Sequence, residues 1–331
     1  MIKNYFAICL LLASLSPFLG AQESKPVTVT MGPSWSKGDG ILLTRIKEKF
    51  VLQQGKAIPQ TRAESTIKIE VLEKSAKSST IAWTTIGTNV QMSGQSEINK
   101  VIKKLGELTP DVRVVFTTDE RGRPSKIQNV VEVNKIYKDL ATNLETWMKA
   151  NSISPQMQQG ILAQLGAFSN PETLGFVALR DPTLYFVRFD PLTLGKPIEE
   201  KFDVPMDQSG QRNLPAISKT NIAKIEGNMA YIEYQQVLDQ KKVGPILLDM
   251  MQQQAIATGQ PLPTLAQVPH FELQSQIAII LNQKTGFPEN LSNVQKKISG
   301  PQGSVDRTFF FHKKDAPKAS PTSKPTSKPT K

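Results

Sequence analysis

Short runs in which apolar and polar residues alternate recur along the chain. Residues 66–71 read Thr-Ile-Lys-Ile-Glu-Val, and residues 112–118 read Val-Arg-Val-Val-Phe-Thr-Thr. A period of two places one kind of side chain on each face of a β-strand. Similar runs indicate strands at residues 41–53, 79–85, 230–234, 277–281 and 304–312. The pattern therefore predicts a chain rich in antiparallel strands.

Three segments carry apolar residues at helical spacing instead. Residues 96–105 place Ile98 and Ile102 on one face, with lysines elsewhere. Apolar residues recur three or four apart through much of residues 132–174, and residues 245–257 form a third such segment. This spacing is typical of amphipathic helices. Strands and helices in separate runs predict the α+β class, a curved antiparallel sheet with packed helices.

A nine-residue stretch occurs twice. Residues 122–130 and 286–294 share Gly, Pro, Asn and Val at matching positions, and both follow a predicted strand. Two shorter matches keep the same order along the chain: residues 46–50 with 198–202, and 68–70 with 224–226. Collinear matches favour a duplicated unit. The alternative is convergent hairpin chemistry, because Gly and Pro serve the same purpose in unrelated turns.

The predicted organisation follows from these patterns. The first β unit, with its short helix, spans residues 41–131, and the second β unit, with its own helix, spans residues 175–312. A helical insert at residues 132–174 separates them. Residues 22–40 are polar and glycine-rich, which predicts a linker into the first strand.

The first 21 residues are typical of a bacterial export signal. Lys3 is followed by an apolar stretch at residues 6–15 that is too short to span a bilayer, and small residues precede a cleavage point near Ala21. A membrane anchor is the alternative. Cys9 is the only cysteine, so the mature chain is predicted to have neither disulfides nor a thiol nucleophile. We expect a periplasmic or extracellular protein.

Charge is concentrated in the last residues. The net charge is +11, of which residues 313–331 contribute +5 through six lysines and one aspartate. Their Pro-Thr-Ser-Lys repeat cannot bury apolar area, so the pattern predicts a disordered tail. Such a tail could attach the protein to an anionic envelope polymer or to lipid head groups, or could only add solubility. No basic stripe interleaved with aromatic residues points to nucleic acid.

No catalytic motif stands out. His270 and His312 are the only histidines, and each lies beside hydrophobic strand residues. The acidic pair Asp119 and Glu120 lies in a turn whose second copy has Gln and Lys instead. We predict a non-catalytic protein with neither cofactor nor metal. A carbohydrate-active or other hydrolase using separated carboxylates is the alternative.

The apolar side chains of the last helix offer a candidate binding surface. Ile246, Leu247, Met250 and Met251 are predicted to line a groove between this helix and the sheet. Grooves of this kind take apolar ligands, and methionine adapts to varied shapes. The alternative is that these residues only fill the core.

The turns at residues 119–124 and 282–288, which end predicted strands behind an export signal, resemble those of uncharacterised bacterial secreted or envelope β-sheet proteins. The resemblance covers residues 41–312 and implies no activity. A more distant similarity is to the periplasmic lipoprotein-carrier fold, a curved sheet closed by helices around an apolar cavity. It implies a carrier-like binding protein, although the carrier has one such unit. A structural envelope component tethered by its tail is a third hypothesis, and the oligomeric state is not predicted.

Overall fold

A computed structural model describes residues 27–93, 96–168, 171–189, 191–205 and 213–313. The predicted signal segment, the start of the linker and the predicted tail from residue 314 onward lie outside the described residues.

The described elements are runs of consecutive strands, most of them long, separated by a few helices. The strands are β1 (Thr28–Val29), β2 (Gly40–Gln53), β3 (Lys56–Lys74), β4 (Ser79–Met92), β5 (Val112–Thr118), β6 (Pro124–Ile127), β7 (Leu192–Thr193), β8 (Ile198–Pro205), β9 (Asn213–Glu226), β10 (Met229–Leu238), β11 (Phe271–Asn282), β12 (Pro288–Ser299) and β13 (Gln302–His312). The helices are α1 (Glu97–Leu108), α2 (Val130–Ala150), α3 (Pro155–Phe168), α4 (Pro171–Ala178), α5 (Arg180–Tyr185) and α6 (Gln240–Thr258). Many strands with a few helices are compatible with the predicted α+β class.

Eleven strands form one antiparallel sheet. Their order is β6-β5-β4-β3-β2-β13-β12-β11-β10-β9-β8, and β1 pairs with β7 in a separate two-stranded sheet. The last strand, β13, lies inside the large sheet between β12 and β2. It thereby joins the strands of the first β unit to those of the second.

One face of the sheet carries the core. In β3, the side chains of Ile67, Ile69 and Val71 are fully buried, while Lys68 lies on the opposite face. Alternation produces this division because successive side chains point to opposite faces. We name the face that carries these apolar residues the inner face.

The sheet curves around its inner face. The ring of Phe116 on β5 lies 6.2 Å from that of Phe186, and the ring of Phe310 on β13 lies 5.4 Å from that of Tyr185. Four strand spacings separate β5 from β13, which amounts to about 19 Å in a flat sheet. Strands this far apart reach two adjacent residues because the sheet bends toward them.

The helical insert is present and extends beyond residue 174. Helices α4 and α5 continue it to Tyr185, so residues 175–185, which the sequence assigned to the second β unit, are helical instead. A short apolar run fits a buried strand or a buried helix equally well. Here Leu174 and Leu179 are buried in the core that α4 and α5 help to fill.

The predicted linker is also wrong for residues 27–40. Val29, Met31 and Trp35 are buried, and the Trp35 ring stacks on Phe287 at 5.1 Å. The Trp35 indole nitrogen donates a hydrogen bond of 2.9 Å to the Ser79 hydroxyl. Three isolated apolar residues among polar ones give no periodic signal, so the pattern missed a segment that packs into the core.

Across the residues that the structure describes, no helix is both long and apolar enough to cross a membrane.

Candidate binding sites on the inner face

Helix α6 lies over one end of the inner face. It starts after Asp239 and ends where Gly259 adopts a left-handed conformation with φ of 66°, a common way to end a helix. Val243 of α6 packs in a small cluster with Leu214 on β9 and Leu238 on β10. This contact fixes the helix along the sheet and sets the position of its remaining apolar side chains.

Three of the four predicted site residues line one groove. Leu247, Met250 and Met251 form one wall, and Phe271 on β11 contributes from the sheet. The fourth residue, Ile246, packs against the cluster of Leu214 and Val243 and does not line the groove. The structure therefore places Ile246 with the core beneath the helix.

The groove is neutral in charge. It has a volume of about 530 Å³, and its other lining residues are Gln253, Gln254, Ala257, Pro269 and Ser299. None of the lining side chains ionises at neutral pH. A half-buried wall of Leu and Met with a few amide groups at the rim suits an apolar ligand rather than an ionic one.

A second cleft, which the sequence did not predict, lies nearer the middle of the inner face. It has a volume of about 720 Å³ and lies between α5, the α1 residue Ile102 and strands β2, β3, β12 and β13. Leu184 and Val187 add apolar surface, whereas Lys47, Asp181 and Asn293 add polar groups. We name this volume the inner cleft.

A cluster of charges lies beside the inner cleft. The Asp181 carboxylate on α5 accepts a short hydrogen bond from Arg45 and lies 2.7 Å from the Lys47 ammonium group. The Asp181 and Arg45 side chains are only 15% and 13% exposed, whereas Lys47 is 40% exposed. Arg45 also donates a 2.9 Å hydrogen bond to the Ser65 hydroxyl, which fixes its guanidinium group.

Burial and charge act in opposite directions on this cluster. Burial alone would raise the pKa of the Asp181 carboxyl, but the charges and hydrogen bonds of Lys47 and Arg45 together lower it. Burial lowers the pKa of Lys47, since the attraction of Asp181 offsets it only in part and Arg45 and Arg180 repel the ammonium charge. The cluster thus holds more positive charge than one carboxylate compensates.

One feature of the sequence could have indicated this charge cluster. Arg45, Lys47 and Lys49 alternate along β2 on the same face as Leu43, which is fully buried. Cations that continue an apolar face mark a place where the buried side of a strand becomes polar. Asp181, the partner of Arg45 and Lys47, lies 136 residues from Arg45 in the chain, so the pattern could not predict this contact.

The structure shows what surrounds the acidic and histidine residues that were considered for catalysis. Asp119 accepts hydrogen bonds from the backbone N–H groups of Arg121 and Arg123 and so shapes its turn. His270 is 63% exposed, and His312 lies 3.1 Å from the Glu289 carboxylate. Within the described ranges, no group of three or more His, Cys, Asp or Glu side chains is placed to hold a metal ion.

No protein-family model and no curated protein matches the chain. Among solved structures, it is similar to a lipovitellin chain from a structure described as lipid–protein interactions in lipovitellin. The identity is 10% and the TM-score is 0.38, and the match covers 86% of this chain and 26% of the lipovitellin chain. The chain therefore spans about a quarter of the length of that lipovitellin chain. At this level of similarity, the match assigns neither a ligand nor a function to the chain.

Proposed function

We propose that the chain is an exported bacterial binding protein that takes an apolar ligand in the groove beside α6, without catalysing a reaction. The observation that carries the proposal is the groove wall of Leu247, Met250 and Met251 facing Phe271 of the sheet. Burying these side chains against a ligand would contribute about 25 cal/mol for each Å² of apolar surface removed from water. Neutral polar groups at the rim would orient the ligand without selecting a charge.

The proposal of export rests on the sequence. The basic residue Lys3, the short apolar stretch at residues 6–15 and the small residues before Gln22 are those of a cleaved signal. The absence of cysteine after Cys9 fits a chain that folds outside the cytoplasm without disulfides.

We also propose that the scaffold arose by duplication. In the first β unit, strands β2, β3 and β4 are followed by α1 and then by β5 and β6. In the second, β8, β9 and β10 are followed by α6 and then by β11 and β12. Each set forms neighbouring antiparallel strands, which supports the duplication suggested by the repeated turn.

The first experiment asks whether the native protein carries a ligand. The chain is produced in a bacterium, recovered from the periplasm, sequenced from its N-terminus and extracted with organic solvent for mass spectrometry of lipids. We expect a mature protein that begins at Gln22 and a co-purified apolar molecule. An N-terminus that still carries residues 1–21 would contradict export, and an extract without lipid would count against the ligand.

The second experiment locates the ligand. Binding of the neutral fluorescent probe N-phenyl-1-naphthylamine is titrated for the original chain and for Met250→Glu, which places a carboxylate in the groove. We expect the variant to bind at least tenfold more weakly, because an unpaired charge resists removal from water. Ile256→Glu is the matched control, since Ile256 lies on the same helix, is 71% exposed and does not line the groove. Equal affinities of the original chain and Met250→Glu would show that the groove is not the site.

A further inference from the structure

The floor of the inner cleft is a row of polar side chains across three neighbouring strands. Lys47 on β2 is directly opposite Thr308 on β13, and Thr308 is directly opposite Asn293 on β12. All three occupy the inner face, two residues along their strands from Arg45, Phe310 and Leu291 respectively. Side chains opposite each other on one face of a sheet lie about 5 Å apart, so the row can contact one small group.

The side chains of this row have hydrogen-bond donors that their contacts with the described residues do not use. The Lys47 ammonium group carries three N–H donors, and its one partner among the described carboxylates is Asp181. The Asn293 carbonyl oxygen accepts a 3.3 Å hydrogen bond from Ser275, which leaves its amide nitrogen facing the cleft. Among the described residues, the Thr308 hydroxyl and this amide nitrogen have no hydrogen-bond partner. The row therefore offers an ammonium, a hydroxyl and an amide N–H to whatever enters.

Charge in the cleft favours an anion. Among the groups around it, Arg45, Lys47, Lys49, Arg180 and Arg307 are positive, and Glu48, Asp181 and Asp306 are negative, so the net charge is +2. Glu48 and Arg307 also have partners on the outer face, where Glu48 pairs with Arg62 and Arg307 lies over the Phe50 ring. An anion bound at Lys47 would neutralise the positive charge that Asp181 neutralises only in part.

Part of the opposite side of the cleft is apolar, next to the polar residues Arg180, Asp181 and Thr183 of α5. Leu184 and Val187 lie on the helical side, and Ile102 of α1 faces the sheet near Val90 and Ala63. Ala63 is directly opposite Lys47 on the neighbouring strand, and its small side chain leaves room beside the ammonium group. A ligand that fits both sides has an anionic head and an apolar body.

We propose that the inner cleft is a binding site for an anionic amphiphile, with its acidic head held by Lys47, Thr308 and Asn293. The head is a carboxylate or a phosphate ester, since both present oxygen acceptors to these donors. The site does not depend on the groove beside α6, which is neutral and lined by different residues.

Calorimetric titration with three ten-carbon probes tests the proposal on the full chain. Decanoate and decyl phosphate carry the two possible heads, and decanol is the neutral analogue. We expect Lys47→Met, which keeps the apolar stem and removes the charge, to weaken both anions at least tenfold while leaving decanol unchanged. The anion that binds more tightly to the original chain shows whether the site prefers a carboxylate head or a phosphate ester head. Lys68→Met is the control, because Lys68 lies on the outer face of β3, paired with Glu70 at 2.8 Å, and it should change nothing.

The proposal is overturned if neither anion binds or if Lys47→Met binds them as tightly as the original chain. If far-ultraviolet circular dichroism shows that Lys47→Met does not fold, Thr308→Val decides. This variant keeps the shape of the side chain and removes the hydroxyl, so a threefold or greater loss of anion affinity supports the site and an unchanged affinity overturns it. Failure of the α6 groove would remove only the binding of decanol and the neutral probe, so the two proposals fail separately.

Discussion

At the scale of single residues, Asp181 matters most to the middle of the inner face. It is the partner of both Arg45 and Lys47, and its side chain is only 15% exposed. A buried carboxylate between two cations contributes little more than an apolar group would, but its removal leaves two charges without compensation. The site in the inner cleft depends on this arrangement because Asp181 fixes the ammonium group of Lys47.

Asp181→Asn should destabilise the protein by about 3 kcal/mol or more at neutral pH, because it leaves Arg45 and Lys47 partly buried and unpaired. The pKa of Asp181 is lowered from its usual 3.8 in the folded chain. The stability contributed by its charge is thus present above pH 3.8 and is lost as the pH falls below that value through the lowered pKa. Urea unfolding measured at several pH values should show this acid loss in the original chain and less of it in Asp181→Asn.

Asp249→Asn is the control for this measurement, since Asp249 lies exposed on α6. It should change the free energy of unfolding by less than about 0.5 kcal/mol, as is usual at the surface. An Asp181→Asn variant as stable as this control would show that the cluster does not form in solution.

At the scale of elements, the hydrophobic pattern predicted those strands and helices in which buried positions recur at a regular spacing. The strands around residues 66–71 and 112–118 and helices α1 and α2 are confirmed, because each has one buried face that repeats along it. The predictions for residues 175–185 and 27–40 were wrong because burial has no period there: the first segment contains short apolar runs, and in the second only single residues such as Trp35 enter the core. Local pattern does not report which distant surface an isolated side chain meets.

The two repeated turns pack against residues 32–35, which lie in the segment that the sequence predicted as a linker. Gly286 has a φ of 73°, and a side-chain carbon there would lie 2.7 Å from the Ser34 backbone nitrogen. Gly122, at the matching position, comes within 3.0 Å of the Trp35 ring by the same measure. Both turns thus need glycine for their backbone conformation and for space.

Gly286→Ala should lower the free energy of unfolding by about 3 kcal/mol, of which about 1 kcal/mol comes from the left-handed backbone and the rest from the contact with Ser34. Gly195→Ala is the matched control, because Gly195 has a φ of 77° with nothing within 4 Å of the added carbon. Its cost should be about 1 kcal/mol. Denaturant titrations would measure the free energy of unfolding of both variants, provided that the slopes of the two titrations are equal. Equal losses of stability would show that residues 32–34 do not pack on the turn.

At the scale of the whole molecule, the sequence indicated two β units but did not predict how they join. Strand β13 pairs with β2 along Leu43 to Leu52, so the end of the described chain lies beside its first long strand. No local pattern specifies a pairing between strands that are so far apart in sequence. The inner cleft lies across this junction, with Lys47 from β2 and Asn293 from β12, and for that reason the sequence could not predict it.

The shared core predicts that the two β units unfold together. Phe310 is fully buried and its ring lies 5.9 Å from that of Trp83 on β4 and 5.4 Å from that of Tyr185 on α5. Leu291 and Ile279 of the second β unit belong to the same cluster as Ile67 and Phe116 of the first. Neither unit can open without exposing apolar surface of the other, so their stabilities are coupled.

We therefore expect one transition in thermal unfolding, with the far-ultraviolet signal of the strands and the near-ultraviolet signal of the aromatic core changing together. Phe310→Ala should lower the stability of that single transition by about 3–5 kcal/mol, because it leaves a cavity in the core common to both units. Phe202→Ala is the control, since Phe202 is 36% exposed on the edge strand β8, and it should cost less. Two separate transitions, only one of which responds to Phe310→Ala, would mean that the β units are independent and that β13 joins them without coupling their stability.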